Sequence, residues 1–309
     1  MVRSFGKGWA AALQMPGVIL LKYILNVIGA AGVAVPIFFT FRDFFGDSAV
    51  TEDMFATMPI GGLAEFLFAE EGALVRSFLA TVPLIIVFLL VNLFITGGIL
   101  QRIALGRRMP WAEFFASSAR LFPVLLVIEL MNAVLFAAVV VLPYIGLSKA
   151  HEWIIDGAIT PTPGMLFTWL WWFLIAVLFI VAGVVHDYTR VRLVSEPRRN
   201  PFSTWALGLA FAVVRLPKTA TLWLALILIP WLITLVVNPL SKLLLEDNVG
   251  ALAAVFAIAQ ALVIVRIGGG LARLAAQFEY ANTDSPSNDL ASEPPPDTVL
   301  DHVPTGSQP

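Results

Sequence analysis

Residues 186–218 read HDYTRVRLVSEPRRNPFSTWALGLAFAVVRLPK, and they join two long apolar runs through a short basic segment. Arg190, Arg192, Arg198, Arg199, Arg215 and Lys218 fall within it, and Trp205 begins a second apolar stretch. Such a segment is what an interfacial joint between two membrane helices requires: cations at the surface, then an aromatic anchor, then hydrocarbon. A shorter version recurs upstream, where Arg107-Arg108-Met109-Pro110-Trp111 precedes another apolar run, so the same joint is used twice.

Working outward, the composition agrees. The chain has 309 residues, 59% of them apolar and only 13% charged, with a mean hydropathy of +0.87. Soluble domains carry roughly 25% charged residues, so this balance belongs to an integral membrane protein. Six runs of about 20 apolar residues are long enough to cross a hydrocarbon core as helices. They fall at about 17–39, 79–101, 121–146, 165–185, 219–238 and 250–272. The runs are continuous rather than alternating, which excludes a β-barrel and predicts an all-α polytopic bundle of six transmembrane helices with short interfacial helices on one side.

Charge orients the bundle. Of the 19 Lys and Arg, all but Arg42, Arg76, Lys149 and Lys242 fall on segments that share a side with the N-terminus. The positive-inside rule then places both termini in the cytoplasm. Arg3 and Lys7 before the first run resemble the start of a signal peptide, but that run is long, contains Lys22 and is needed as a span, so retention is expected. The segment at 41–78 is acidic and outer, and it is expected to form one or two short helices against the membrane. Residues 283–309 carry Pro294-Pro295-Pro296 and five acids without a Lys or Arg, the composition of a disordered acidic cytoplasmic tail.

The joints also suggest a repeat. Trp111-Ala112 precedes Pro123 by the same interval at which Trp205-Ala206 precedes Pro217, and Trp9-Ala10 precedes Pro16 by a shorter one. Three parallel units, each an interfacial helix followed by a membrane hairpin, account for this pattern, although any inner interface also attracts Arg and Trp.

Polar residues inside the spans are expensive and are the first functional candidates. They are Asn26, Asn92, Glu129, Asn132, Gln260 and Arg266. Glu129 and Arg266 lie at similar depths, about 12 Å and about 10 Å from the inner ends of their runs at the helical rise. The expectation is that they pair, with Asn132 one turn away on the same face as Glu129. Such a pair either fixes helix register or serves as a proton or substrate site. Asn26 and Asn92 read as interhelical hydrogen-bond donors or acceptors. Gly97-Gly98 and Gly268-Gly269-Gly270 permit either close helix packing or local unwinding. Arg107, Arg108, Arg190, Arg192, Arg198 and Arg199 read as contacts to the membrane surface and lipid headgroups.

Reaction chemistry is not legible. Cysteine is absent, and His151, His186 and His302 are scattered, so no metal site and no cofactor are expected. No metalloprotease helix, nucleophile elbow or phosphate-binding glycine loop occurs. His186-Asp187 falls at the predicted exit of the fourth span, where adjacent residues face different sides of a helix, and a helix-terminal role is expected for both. The basic segment is too short for a nucleic-acid domain, which leaves membrane lipids, a protein partner or a second copy of the chain as partners.

Asp187-Tyr188-Thr189-Arg190-Val191-Arg192, Arg215-Leu216-Pro217 and the segment LARLAAQFEYAN at 271–282 resemble a group of poorly characterised bacterial six-span membrane proteins. That group is similar to the membrane domain attached to some glycerophosphodiester phosphodiesterases. The resemblance covers residues 1–282 and lacks the soluble phosphodiesterase domain, so it carries over no catalytic residue and implies a bacterial inner-membrane location. The function expected is a non-enzymatic accessory or scaffold that binds lipid or protein. The alternative is a small-solute or lipid transporter using the intramembrane polar cluster.

Overall fold

A computed structural model describes residues 2–45, 71–156, 161–195, 200–243 and 249–283. Every element in them is helical: α1 (Val2–Leu13), α2 (Pro16–Phe45), α3 (Glu71–Leu105), α4 (Trp111–Phe136), a π-helical segment (Ala137–Val141), α5 (Leu142–Asp156), α6 (Pro161–Ser195), α7 (Pro201–Val214), α8 (Leu216–Leu243) and α9 (Val249–Thr283). Six apolar stretches are long enough to cross a membrane, Pro16–Pro36, Leu79–Leu105, Trp111–Ala150, Gly164–Ser195, Leu216–Val237 and Gly250–Thr283. The protein is thus an all-α polytopic bundle. Of the outer segment at 41–78, residues 41–45 and 71–78 belong to α2 and α3 and the short helices expected between them fall at 46–70, outside the described residues, as do the tail from 284 on, Arg198 and Arg199.

The helices outrun the apolar runs: past about 185 and 272, α6 continues to Ser195 and α9 to Thr283. A helix can carry charged residues past an apolar run when those residues find partners in neighbouring helices, and here they do. The repeat is also uneven. α1 and α7 are separate short helices ahead of α2 and α8, but α4 runs unbroken through Pro123, so the middle unit has no detached interfacial helix.

Buried side chains concentrate at one end of the bundle. Met15, Val18, Ile99, Val184, Tyr188, Phe211, Leu222 and Ala276 belong to one cluster that draws on α2, α3, α6, α7, α8 and α9. At the other end, Phe38, Leu84, Trp169, Leu235 and Phe256 are exposed, an apolar surface suited to a hydrocarbon surrounding.

Short residues set the closest approaches. α1 buries Ser4, Gly8 and Ala12, one residue per turn, against α9. A Cβ on Gly8 would lie 2.5 Å from the Ala272 carbonyl oxygen and 2.7 Å from the Ala276 Cβ. Of the sequence's glycine groups, Gly98 abuts Ser118 and Phe114, and Gly269 receives Pro230, so both serve close packing while their helices remain continuous.

Gly8→Val is therefore expected to destabilise the protein by about 1–3 kcal/mol through overpacking, while Gly6→Val, with open space around its Cβ, stays within about 0.5 kcal/mol. Denaturation in mild detergent compares the two, and equal stability would show that α1 is not docked on α9.

Candidate functional site

Three helices turn matched faces toward a common space. α4 offers Glu129, Asn132, Ala133 and Phe136, and α6 offers Phe179, Ala182, Gly183 and His186, each set following the spacing of one helical face. α8 adds Trp223, Ile227 and Trp231 at successive turns. Together with Asp187 of α6 and Arg273 of α9, these residues line a cavity of about 690 Å³. α4 and α8 both pack on α6 without extensive contact with each other, so the cavity is a groove over α6. Phe136, Phe179 and Trp231 are exposed along it, within the apolar spans. The π-helical segment begins at the residue after Phe136. Such segments widen a helix locally and are frequent at functional sites.

The floor of the groove is charged. Asp187 is 1% exposed. Its Oδ2 accepts hydrogen bonds from Trp223 Nε1 at 3.0 Å and Gln277 Nε2 at 3.4 Å. Arg273 Nε lies 2.8 Å from the same oxygen. Gly183 makes the first of these contacts feasible, because a Cβ there would sit 2.5 Å from the Trp223 ring. Arg273 also lies over that ring, 5.7 Å from its centroid.

Glu129 forms a second ionic layer. Its Oε1 accepts a hydrogen bond from Arg190 Nε, and its Oε2 lies 2.9 Å from His186 Nε2. The other ring nitrogen of His186 lies 3.5 Å from Asp187 Oδ1, so the imidazole bridges the two carboxylates. A neutral imidazole has one N–H, so serving both carboxylates takes one further proton, on the ring or on an oxygen. Lys22 of α2 lies within electrostatic reach of Arg190 and Arg273 and makes no hydrogen bond or ion pair among the described residues. Two carboxylates thus face two guanidinium groups, an imidazole and a nearby ammonium.

Asn132 closes the floor on the α7 side. It accepts from Trp205 Nε1 at 2.9 Å and donates to Thr189 Oγ1 at 3.1 Å, linking α4, α6 and α7. Among the described residues, no group of three or more His, Asp or Glu is placed to hold a metal ion.

The sequence-derived pairing of Glu129 with Arg266 is not formed. Equal depth does not fix the direction in which a side chain points, and Arg266 faces α8. Its Nε lies 3.4 Å from Thr234 Oγ1 and its guanidinium 5.6 Å from the Trp231 ring centroid. Arg190, expected at the headgroups, is the actual partner of Glu129. Arg192 stacks on Phe211 at 4.7 Å, while Arg107 and Arg108 are exposed in the α3–α4 turn. Asn26 is half-buried on α2. Asn92 donates to Phe88 of its own helix rather than across to another. His186 and Asp187 are not helix-terminal; they lie inside α6, two turns before its end. Asp187 reads as helix-terminal in the sequence because the apolar run at 165–185 stops two residues before it, whereas the helix continues.

Comparison with protein-family models, curated proteins and solved structures gives no match. The groove therefore stands on its geometry alone.

Removing one member of a partly buried ion pair leaves the other uncompensated, so Arg190→Leu should destabilise by about 3 kcal/mol. Arg266→Leu should stay within about 0.5 kcal/mol, since its side chain is exposed and its contacts are weak. Detergent-solubilised thermal or denaturant unfolding distinguishes them, and a larger loss at Arg266 would overturn the assignment of Arg190.

Proposed function

We propose that this protein is a lipid-binding accessory or scaffold of a bacterial inner membrane, with both termini in the cytoplasm, and that the groove over α6 is its lipid site. The observation that carries the reading is the gradient along the groove. Exposed aromatic side chains of Phe136, Phe179 and Trp231 lie at the hydrocarbon level, and a hydrogen-bonding floor of Glu129, His186 and Arg273 lies beneath. That arrangement suits an amphiphile with its apolar body against the rings and its polar end at the floor. The excess of Lys and Arg on segments sharing a side with the N-terminus supports the orientation. The resemblance to the six-span bacterial group supports the location.

Transport of a lipid or small solute through the same groove is the second reading. It is favoured by one feature, that the cavity reaches the charged Glu129 layer rather than ending on a dry apolar surface.

Ala133 lines the groove and is exposed, so Ala133→Trp fills it without displacing a buried side chain. Lipid retained through purification in mild detergent, quantified by mass spectrometry, should fall by about tenfold in this variant, the factor that roughly 1.4 kcal/mol of lost contact represents. Unchanged retention in a folded variant would reject the groove as the lipid site. Movement of a labelled lipid between leaflets of reconstituted vesicles, abolished by the same substitution, would favour transport over static binding.

A further inference from the structure

A second cavity lies away from the groove, between the end of α1 and the α3–α4 turn. It holds about 60 Å³ and is lined in part by Gln14, Arg102, Gly106, Arg107 and Arg108. Gly106 makes the turn with a φ of 61°, and its N–H is shared between the carbonyl oxygens of Arg102 at 3.1 Å and Ile103 at 3.2 Å. The C-terminal carbonyls of α3 at this point are thus capped by backbone. Arg102 is fixed by donating from Nη2 to the Gln14 carbonyl at 2.9 Å, which ties α3 to the end of α1. Arg107 donates to Glu113 at 2.8 Å. The carbonyl of Arg108 accepts from Arg107 Nη1 at 3.4 Å, while the Arg108 guanidinium makes no hydrogen bond or ion pair among the described residues. Three arginines therefore border a small space, and one of them, Arg107, is paired with a carboxylate, Glu113.

We propose that this cleft binds a phosphoryl group, presented by an anionic membrane lipid. Guanidinium forks match phosphate oxygens in geometry and in charge, and three of them face the double negative charge of a phosphate monoester. The cleft is several times the roughly 10–15 Å³ that a cavity needs to admit one water, enough for the phosphoryl group with its esterified alcohol outside. A lipid source is favoured by the surroundings: Leu105, Trp111 and Phe115, all exposed, place an apolar and aromatic rim beside the cleft. The site is independent of the groove over α6.

The test uses the full chain in nanodiscs of phosphatidylcholine with and without phosphatidic acid, reading lipid binding by native mass spectrometry. Arg107→Ala/Arg108→Ala is compared with Arg3→Ala/Lys218→Ala, which removes two exposed cations elsewhere. Phosphatidic acid binding should weaken at least about tenfold in the first variant, as the loss of a charge-assisted hydrogen bond to the phosphoryl group requires, and remain within about threefold of the parent in the second. Thermal unfolding of both variants checks that they are folded. Displacement of the lipid by millimolar inorganic phosphate would show that the phosphoryl group alone is recognised; resistance to it, with the arginine dependence intact, would show that the lipid is required. Equal loss in the two double variants, or no loss in either, would overturn the proposal.

Discussion

Asp187 is the constraint on which the rest of the bundle depends. A carboxylate with 1% exposure in a membrane helix is tolerated only if neighbouring helices supply its counter-charge and donors. They come from α8 through Trp223 and from α9 through Gln277 and Arg273. The three helices are thereby held in one register at this level. The small residue at 183 follows as a requirement, because any side chain there would push Trp223 off the carboxylate.

The groove is a consequence of how the ionic contacts are distributed. Asp187 binds α6 to α8 and α9, while Glu129 binds α4 to α6 through Arg190 and His186. Both layers converge on α6, and among the described residues no ion pair joins α4 to α8. Those two helices pack on α6 without extensive contact with each other and leave its face open between them. Packing therefore concentrates at the end where the charges meet, and the exposed aromatic residues continue from it toward the opposite side. Asn132 strengthens the same end by holding α7 through Trp205.

Much of the fold was legible in the sequence because membrane spans are set by length and apolarity. All six spans appear where the apolar runs lie, and Glu129 and Asn132 stood out as polar residues within a run. Their partners were harder to read. His186, Asp187, Arg190 and Arg273 follow the apolar runs and look like surface charges until the neighbouring helices are in place. Arg266 misled for the opposite reason: it lies inside a run, yet it turns toward Thr234 and Trp231 at the periphery. Depth can be counted along a chain, whereas the facing direction of a residue depends on helix rotation, which packing decides. The cleft at Arg102 is of the same kind, since only the docking of α1 brings Gln14 to it.

The most direct test of this account is a double-mutant cycle between Asp187 and Arg273, measured as unfolding free energy in mild detergent. Asp187→Leu and Arg273→Leu singly should each cost about 3 kcal/mol, because each leaves a buried or partly buried charge without its partner. The double substitution should cost clearly less than their sum, with a coupling of about 1–3 kcal/mol. Strict additivity of the two losses would contradict the claim that the buried carboxylate and its guanidinium hold the bundle together.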